Sequence, residues 1–234
     1  MRYLFVLFFI GMIGTGLWQG LMNSNIVKLK KIEINGASSA TTQRLRGLLK
    51  SKIGDAFWEI PVSQEAQSLK TDPWVEAVEV RRELLGTLII DIIERKPVAV
   101  LGNGKGQFYF LDGHSDVIDQ AQASRVGAYP ILSESGFHSN KELRTKALEI
   151  LKSLPAEGLL SLSDVSEVQY DNEQGYHLTL AKTGIVIDIG KENLPLHLDR
   201  ARRVVQYLDQ HKINATRIDA DYSKKVLVKV RGRR

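Results

Sequence analysis

Hydrophobic and polar positions alternate most regularly in residues 73–97, PWVEAVEVRRELLGTLIIDIIERKP. Val78 and Val80 alternate with Ala77, Glu79 and Arg81; Leu88, Ile90 and Ile92 alternate with Thr87, Ile89, Asp91 and Ile93. A period of two rich in β-branched residues marks strands with one buried face. Glu83-Leu84-Leu85-Gly86 separates the two runs, and Gly86 reaches positive φ without steric cost. The stretch predicts a β-hairpin. A hairpin alone is marginal in water, so it needs a further strand and a cover.

The preceding residues supply both. Val27, Leu29, Ile32 and Ile34 read as a strand ending at Asn35-Gly36. Residues 38–42 carry several hydroxyls suited to capping a helix. In TTQRLRGLLKSK, Leu45, Leu48 and Leu49 share one helical face, with Gly54 beyond its end. A second helix opens at Pro61-Val62-Ser63-Gln64, turns Ala66 and Leu69 inward, and stops before Asp72-Pro73. The order is β-α-α-β-β within about seventy residues, a domain-sized unit. Two amphipathic helices on one face of three strands bury its core.

Ahead of this unit, residues 3–22, YLFVLFFIGMIGTGLWQGLM, carry no charge. About 20 residues at ~1.5 Å rise cross the ~30 Å hydrocarbon layer, with Trp18 placed for an interface. No small-residue cleavage site follows at Gln19-Gly20-Leu21-Met22-Asn23, so the stretch reads as an uncleaved anchor. Lys28, Lys30 and Lys31 outnumber Arg2, which by the positive-inside count favours a cytoplasmic carboxyl-terminal body. Long domains translocate regardless of loop charge, so charge alone leaves the topology open.

Beyond Pro97 the chain is strand-rich. Short strands are predicted at 98–101, 107–111 and 117–118, with turns at Gly102-Asn103-Gly104-Lys105-Gly106 and Asp112-Gly113-His114-Ser115. Residues 141–153 read as a helix with Leu143, Ala147, Ile150 and Leu151 inward. Strands follow at 165–170, 176–181 and 184–189, then a helix at 196–211 with Leu198, Val205 and Leu208 inward. Two last strands are expected at 216–222 and 226–230. In them Ile218, Ala220 and Tyr222 share a face, as do Val226, Val228 and Val230, while Lys225 and Lys229 face the other way. Lysines so placed resist unwanted pairing at an edge strand, and such an edge also accepts an extended partner.

Composition narrows the chemistry. The chain has 234 residues, 43% hydrophobic and 25% charged, with a formal charge of +5 and a pI near 9.3. That excess is too mild to argue for nucleic acid. With 0 cysteines, disulfides and thiolate metal sites are excluded. The glycine-rich loop lacks the Ser or Thr that a P-loop places after Lys105, and reads as a hairpin loop. Asp112, His114 and Asp116 alternate across a tight turn and read as a solvated turn rather than a metal site. His138, His177, His197 and His211 share no ligand spacing. Neither a G-x-S-x-G elbow nor an H-E-x-x-H pair occurs. Arg81, Arg82, Glu94 and Arg95 on neighbouring strands read as cross-strand pairs on a wet face, worth about 0.2–1 kcal/mol each, with protein docking as the competing use.

The residues INGASSATTQRLRGLL and DPWVEAVEVRRELLGTLIIDIIERKPVAVL resemble the FtsQ/DivIB family of bacterial division proteins, and the β-α-α-β-β unit resembles a POTRA domain. The most specific parts are Pro73-Trp74-Val75, Val80-Arg81-Arg82 and Glu94-Arg95-Lys96-Pro97; Tyr129-Pro130-Ile131-Leu132 resembles a further family segment. Leu84-Leu85 stands where the family often has an aromatic-Pro pair. The resemblance implies an α+β chain: an N-terminal transmembrane helix at 1–25, a POTRA domain at 26–96, a mixed β-rich domain with flanking helices at 97–230, and a basic tail at 231–234. It implies a non-enzymatic divisome scaffold without cofactor or metal, held in the inner membrane at the septum with a cytoplasmic N-terminus and an extracytoplasmic bulk. FtsB, in complex with FtsL, is the implied partner, adding a strand at Tyr222, Ser223, Lys225, Val226, Val228 and Val230, and through it the chain is tied to septal peptidoglycan synthesis. Asp219-Ala220-Asp221-Tyr222 aligns with a family segment that usually carries arginine at Asp221, and Lys224-Lys225 replaces an Asn-Gly-like turn. The rival uses are a POTRA protein of transport or outer-membrane assembly, and an envelope hydrolase for which no nucleophile is nominated.

Overall fold

A computed structural model of the chain describes residues 11–15, 28–134, 136–222 and 225–231. No helix among the described residues is long and apolar enough to cross a membrane. The predicted anchor at 3–22 lies mostly outside them; residues 11–15 are helical, with the Thr15 hydroxyl donating to Gly11 O and Met12 O. The chain forms two compact units, Met1–Arg95 and Lys96–Arg234.

The first unit holds strand β1 (Lys31–Asn35), helices α1 (Ser39–Leu48) and α2 (Val62–Leu69), and strands β2 (Val75–Glu83) and β3 (Thr87–Glu94). The sheet order is β1-β3-β2, with β1 parallel and β2 antiparallel to the central β3. Leu88, Ile90 and Ile92 of β3 pack with Leu29, Leu45, Phe57, Ile60, Leu69 and Val75, as the alternation requires. The hairpin closes on Leu84-Leu85-Gly86, with Leu85 at φ 71° and Gly86 at φ 87°. A Cβ on Gly86 would stand 2.4 Å from Lys28 O, so glycine is required there for contact as well as for conformation.

Two local readings change. Helix α1 ends at Leu48 and does not run on through residues 50–52. Glu65, not Ala66, is the fully buried residue of α2's middle turn. One cause explains both. The Glu65 carboxylate accepts from Lys50 N, Ser51 N and Ser51 Oγ at 3.2, 2.9 and 2.7 Å, giving these groups partners outside any helix. A buried carboxylate is tolerated because three donors replace its water.

The second unit is a nine-stranded sheet: β4 (Pro97–Gly102), β5 (Phe108–Asp112), β6 (Val117–Gln120), β7 (Ile131–Leu132), β8 (Val165–Asp171), β9 (Gly175–Leu180), β10 (Val186–Gly190), β11 (Ala215–Asp219) and β12 (Leu227–Val230). The order across the sheet is β12-β11-β10-β9-β8-β7-β4-β5-β6. Helices α3 (Ala123–Val126) and α4 (Gly136–Ser139) are single turns; α5 (Lys141–Ser153) and α6 (Leu194–Gln210) are long. Leu148 and Leu151 of α5, and Leu198, Ala201 and Val205 of α6, join one core with Leu178, Ile187 and Ile218 of the sheet. Helix α6 joins β10 to its parallel neighbour β11, a connection no tight turn can make. It begins two residues before the predicted start because Pro195 sits in its first turn, where the missing N–H costs nothing.

The glycine-rich loop is a hairpin loop: Asn103 Oδ1 accepts from Lys105 N and Gln107 N, between β4 and β5. The next turn departs from the solvated one expected. Asp112 is buried, and its Oδ1 accepts from His114 N and Asp116 N at 2.9 Å. These two bonds fix the turn on the Asp112 carboxylate, and Asp116 pairs with Lys141.

Candidate functional site

Strand β12 is the terminal strand of the nine-stranded sheet. It pairs antiparallel with β11 through Arg217↔Lys229, Ile218↔Val228 and Asp219↔Leu227. Among the described residues its other edge has no strand beside it. The ladder direction follows from two bonds: Arg231 N donates to Asn214 O at 2.8 Å, and Lys229 O accepts from Thr216 Oγ1 at 3.1 Å. Backbone groups on an antiparallel strand alternate sides. Leu227, Lys229 and Arg231 therefore address β11, and Val228 and Val230 turn their N–H and C=O groups to the open edge.

Side chains sort differently from backbone. Val226 and Val228 are half-buried against the core, while Lys225, Leu227 and Lys229 are exposed. Val230 was expected beside Val226 and Val228 but is also exposed. The pairing shifts between Ala215 and Arg217, directly opposite Val230, and such a bulge bends the strand pair away from regular packing. Tyr222 is about half exposed, at 48%, and its carbonyl accepts from Arg200 Nη1 of α6 at 2.8 Å. Ser223 lies outside the described residues.

The turn leading to this edge is fixed from below. Asp221 packs over Gly190, where an added Cβ would meet Asp221 Oδ1 at 2.2 Å, and Gly190 itself has φ 73°. Asp221 Oδ1 stands 3.4 Å from Nδ1 of buried His197, which also faces Ile189 O at 2.9 Å. One strand further in, Arg217 brackets Asp188, and Asp188 meets His177 Nδ1 at 2.5 Å.

Family comparisons cover both units. A model described as POTRA domain, FtsQ-type, matches residues 27–95, and one described as Cell division protein FtsQ/DivIB, C-terminal, matches residues 99–221. The chain belongs to the FtsQ/DivIB cell division family. It is 30% identical to the cell division protein FtsQ of Geotalea daltonii over 227 residues, 94% of this chain and 82% of the relative. It is 28% identical to the FtsQ of an Anaeromyxobacter species over 93% of this chain and 76% of the relative. The cell division protein DivIB of Solibacillus silvestris is 28% identical over 59% of this chain and 46% of its own length.

In this FtsQ/DivIB chain the four charged hairpin residues have separate uses. Arg81 pairs with Asp91 on β3 at 3.2 Å, an exposed cross-strand pair. Arg82 donates to the carbonyls of Phe57, Trp58 and Ile60, tying the hairpin to the preceding loop. Glu94 accepts from Ser38 N, Ser38 Oγ and Thr41 Oγ1, holding the start of α1 on β3. Burial pushes the Glu94 carboxyl up, and the bonds from Thr41 and Ser38, with Arg44's charge, outweigh it and hold it below its usual value. Arg95 N donates to Trp74 O. Sequence reasoning missed Asp221, Gly190, His197 and Arg200 as the supports of the edge. The Gly190-Lys191 turn after an apolar strand was the only local signal.

Proposed function

We propose that this FtsQ/DivIB chain is a non-enzymatic scaffold of the divisome. Residues 3–22 anchor it in the inner membrane at the septum, with the amino terminus cytoplasmic and both units extracytoplasmic. FtsB, carried with FtsL, adds an extended strand to β12, and that contact links the chain to septal peptidoglycan synthesis. The observation that carries this reading is the open side of β12: Val228 and Val230 turn backbone donors and acceptors outward, flanked by exposed Lys225 and Lys229. Tyr222 supplies an aromatic anchor beside the strand, the residue type that dominates binding contacts. Asp221, engaged by His197 and Gly190, supports the turn here instead of contacting the partner. Arg81 and Arg95 belong to a second docking surface on the POTRA unit, where Arg82 and Glu94 hold the loops in place. Anchoring raises the effective concentration of partners confined to the same membrane.

Titration of an FtsB segment into the purified chain tests the strand addition. Isotope-edited infrared or NMR should report new backbone hydrogen bonds at Val228 and Val230. Binding that leaves both amides exchanging as in the free protein refutes the mode. Alkaline phosphatase and GFP fusions at the carboxyl terminus test the compartment. Depletion that leaves the source bacterium dividing without filaments refutes the divisome role.

A further inference from the structure

Four large apolar side chains of the first unit stand in solvent on two adjoining loops. Leu84 and Leu85 at the hairpin tip are 81% and 79% exposed, and Ile53 and Trp58 are each 61% exposed. Both loops are fastened to residues 28–31. Lys30 N and Lys31 N donate to Gly86 O at 2.7 and 3.3 Å; Leu29 N donates to Asp55 O and Gly54 N to Leu29 O, each at 2.8 Å. Lys28 bridges to Ala56, and Arg82 ties the hairpin to the carbonyls of residues 57, 58 and 60. The four side chains therefore sit on one end of the unit.

That end is where the chain arrives from the uncharged stretch. Lys28 follows Met22 by six residues, a reach of at most about 20 Å when fully extended. Lys28, Lys30 and Lys52 lie on or against the two loops, with Asp55, Glu59 and Glu83 as acids of the same segments, while Lys31 is paired with Glu33 at 2.6 Å. Long lysine stems reach headgroups while apolar neighbours enter the acyl boundary, and tryptophan favours that interface. Leu85 is held at φ 71°, a conformation leucine rarely adopts and asparagine or glycine takes readily. A strained, exposed leucine at the tip points to a use outside the fold.

We propose that this end of the POTRA unit rests on the bilayer, with Leu84, Leu85, Trp58 and Ile53 seated at the boundary between headgroups and acyl chains. The proposal rests on the anchor reading above. The anchor and the loops then form two attachments a short chain apart. The first unit is held at a set height on the membrane and does not swing on a free tether.

The chain has 0 cysteines, so one introduced cysteine is a unique labelling site. The full chain is reconstituted into phosphatidylethanolamine–phosphatidylglycerol vesicles with a nitroxide on Met12→Cys, Trp58→Cys, Leu84→Cys or Lys70→Cys. Collision with oxygen, which partitions into lipid, is compared with collision with a water-soluble nickel chelate. The Leu84 and Trp58 labels should favour oxygen severalfold over the Lys70 label, which lies beyond the end of α2. Introducing Leu85→Asp should return the Trp58 label toward the Lys70 value. Leu84 and Trp58 labels as wet as Lys70, beside a lipid-buried Met12 label, overturn the docking and leave the anchor standing. A wet Met12 label overturns the anchor and the docking with it. Shielding from both reagents reports a protein cover and overturns the lipid assignment.

Discussion

Proline at position 228 separates the open edge from the fold that carries it. The Val228 N–H points away from β11, so Val228→Pro removes an outward donor and no bond of the chain's own ladder. Edge strands accept proline on that condition. In a complex formed by strand addition, the partner carbonyl facing Val228 N would be buried without a donor. An orphaned carbonyl costs about 1–3 kcal/mol, so affinity should fall about 5- to 150-fold. Lys229→Pro is the contrasting change, because that N–H addresses β11. It should lower the melting temperature, whereas Val228→Pro should keep it close to wild type. Val228→Ala corrects for lost packing of the half-buried side chain. Fluorescence titration of labelled FtsB segment gives the affinities, and thermal circular dichroism gives the folds. A folded Val228→Pro chain that binds within about twofold of Val228→Ala would refute strand addition at this edge, since one lost interchain bond alone is worth about 0.5–1.5 kcal/mol.

Four further outcomes are expected. Tyr222→Ala should weaken the FtsB segment by about 1–2 kcal/mol, as for an interfacial aromatic, with no change in melting, because the ring is half exposed. Gly190→Ala should reduce the same affinity indirectly: its Cβ would displace Asp221 and the turn before β12, and an amide spectrum should show residues 219–222 shifted. Glu65→Ala should destabilise the first unit by about 1–3 kcal/mol for each buried donor left unpaired, read by denaturant unfolding. Glu94 is depressed in the folded chain, so its contribution is present above its usual value of 4.5 and is lost as pH falls through the lower folded value. Melting curves of wild type and Glu94→Gln should therefore differ at pH 7 and converge toward pH 3.

Asp164 behaves in the same direction as Glu94. The Ser161 N–H, ahead of the cost of burial, holds its carboxyl low with help from the Ser161 hydroxyl and Lys182. Both carboxylates cap the start of a helical turn, where backbone donors favour the charged form. Tyr176 shifts upward: burial, then the nearby Tyr170 and two glutamates, disfavour its phenolate. Its hydroxyl instead donates to Leu143 O and fastens α5 to β9.

The hairpin was legible because its code is local. A period of two along Val78–Val80 and Leu88–Ile92, broken by Leu84-Leu85-Gly86, specifies two strands and a turn without reference to anything distant. The long helices α5 and α6 were legible for the same reason, through a period near 3.6. The single-turn helices α3 and α4 were not, since four residues hold too few repeats to register a period. Glu65 was invisible because its partners, Lys50 and Ser51, lie a loop away, and a glutamate on a short helix reads as solvent-facing.

The amino-acid order by itself determined the hairpin, the two long helices with their inward faces, and the family the chain joins, because propensity, periodicity and motif all act over a few neighbouring residues. Which strand ends the sheet is a property of the whole topology, since an edge exists only where no other segment pairs. Tertiary structure alone decided that Val228 and Val230 aim their backbone outward, that Asp221 is taken up by His197 and Gly190, and that four exposed apolar side chains gather beside Lys28. Each of these depends on groups brought together from distant parts of the chain, and only the closed fold sets their distances.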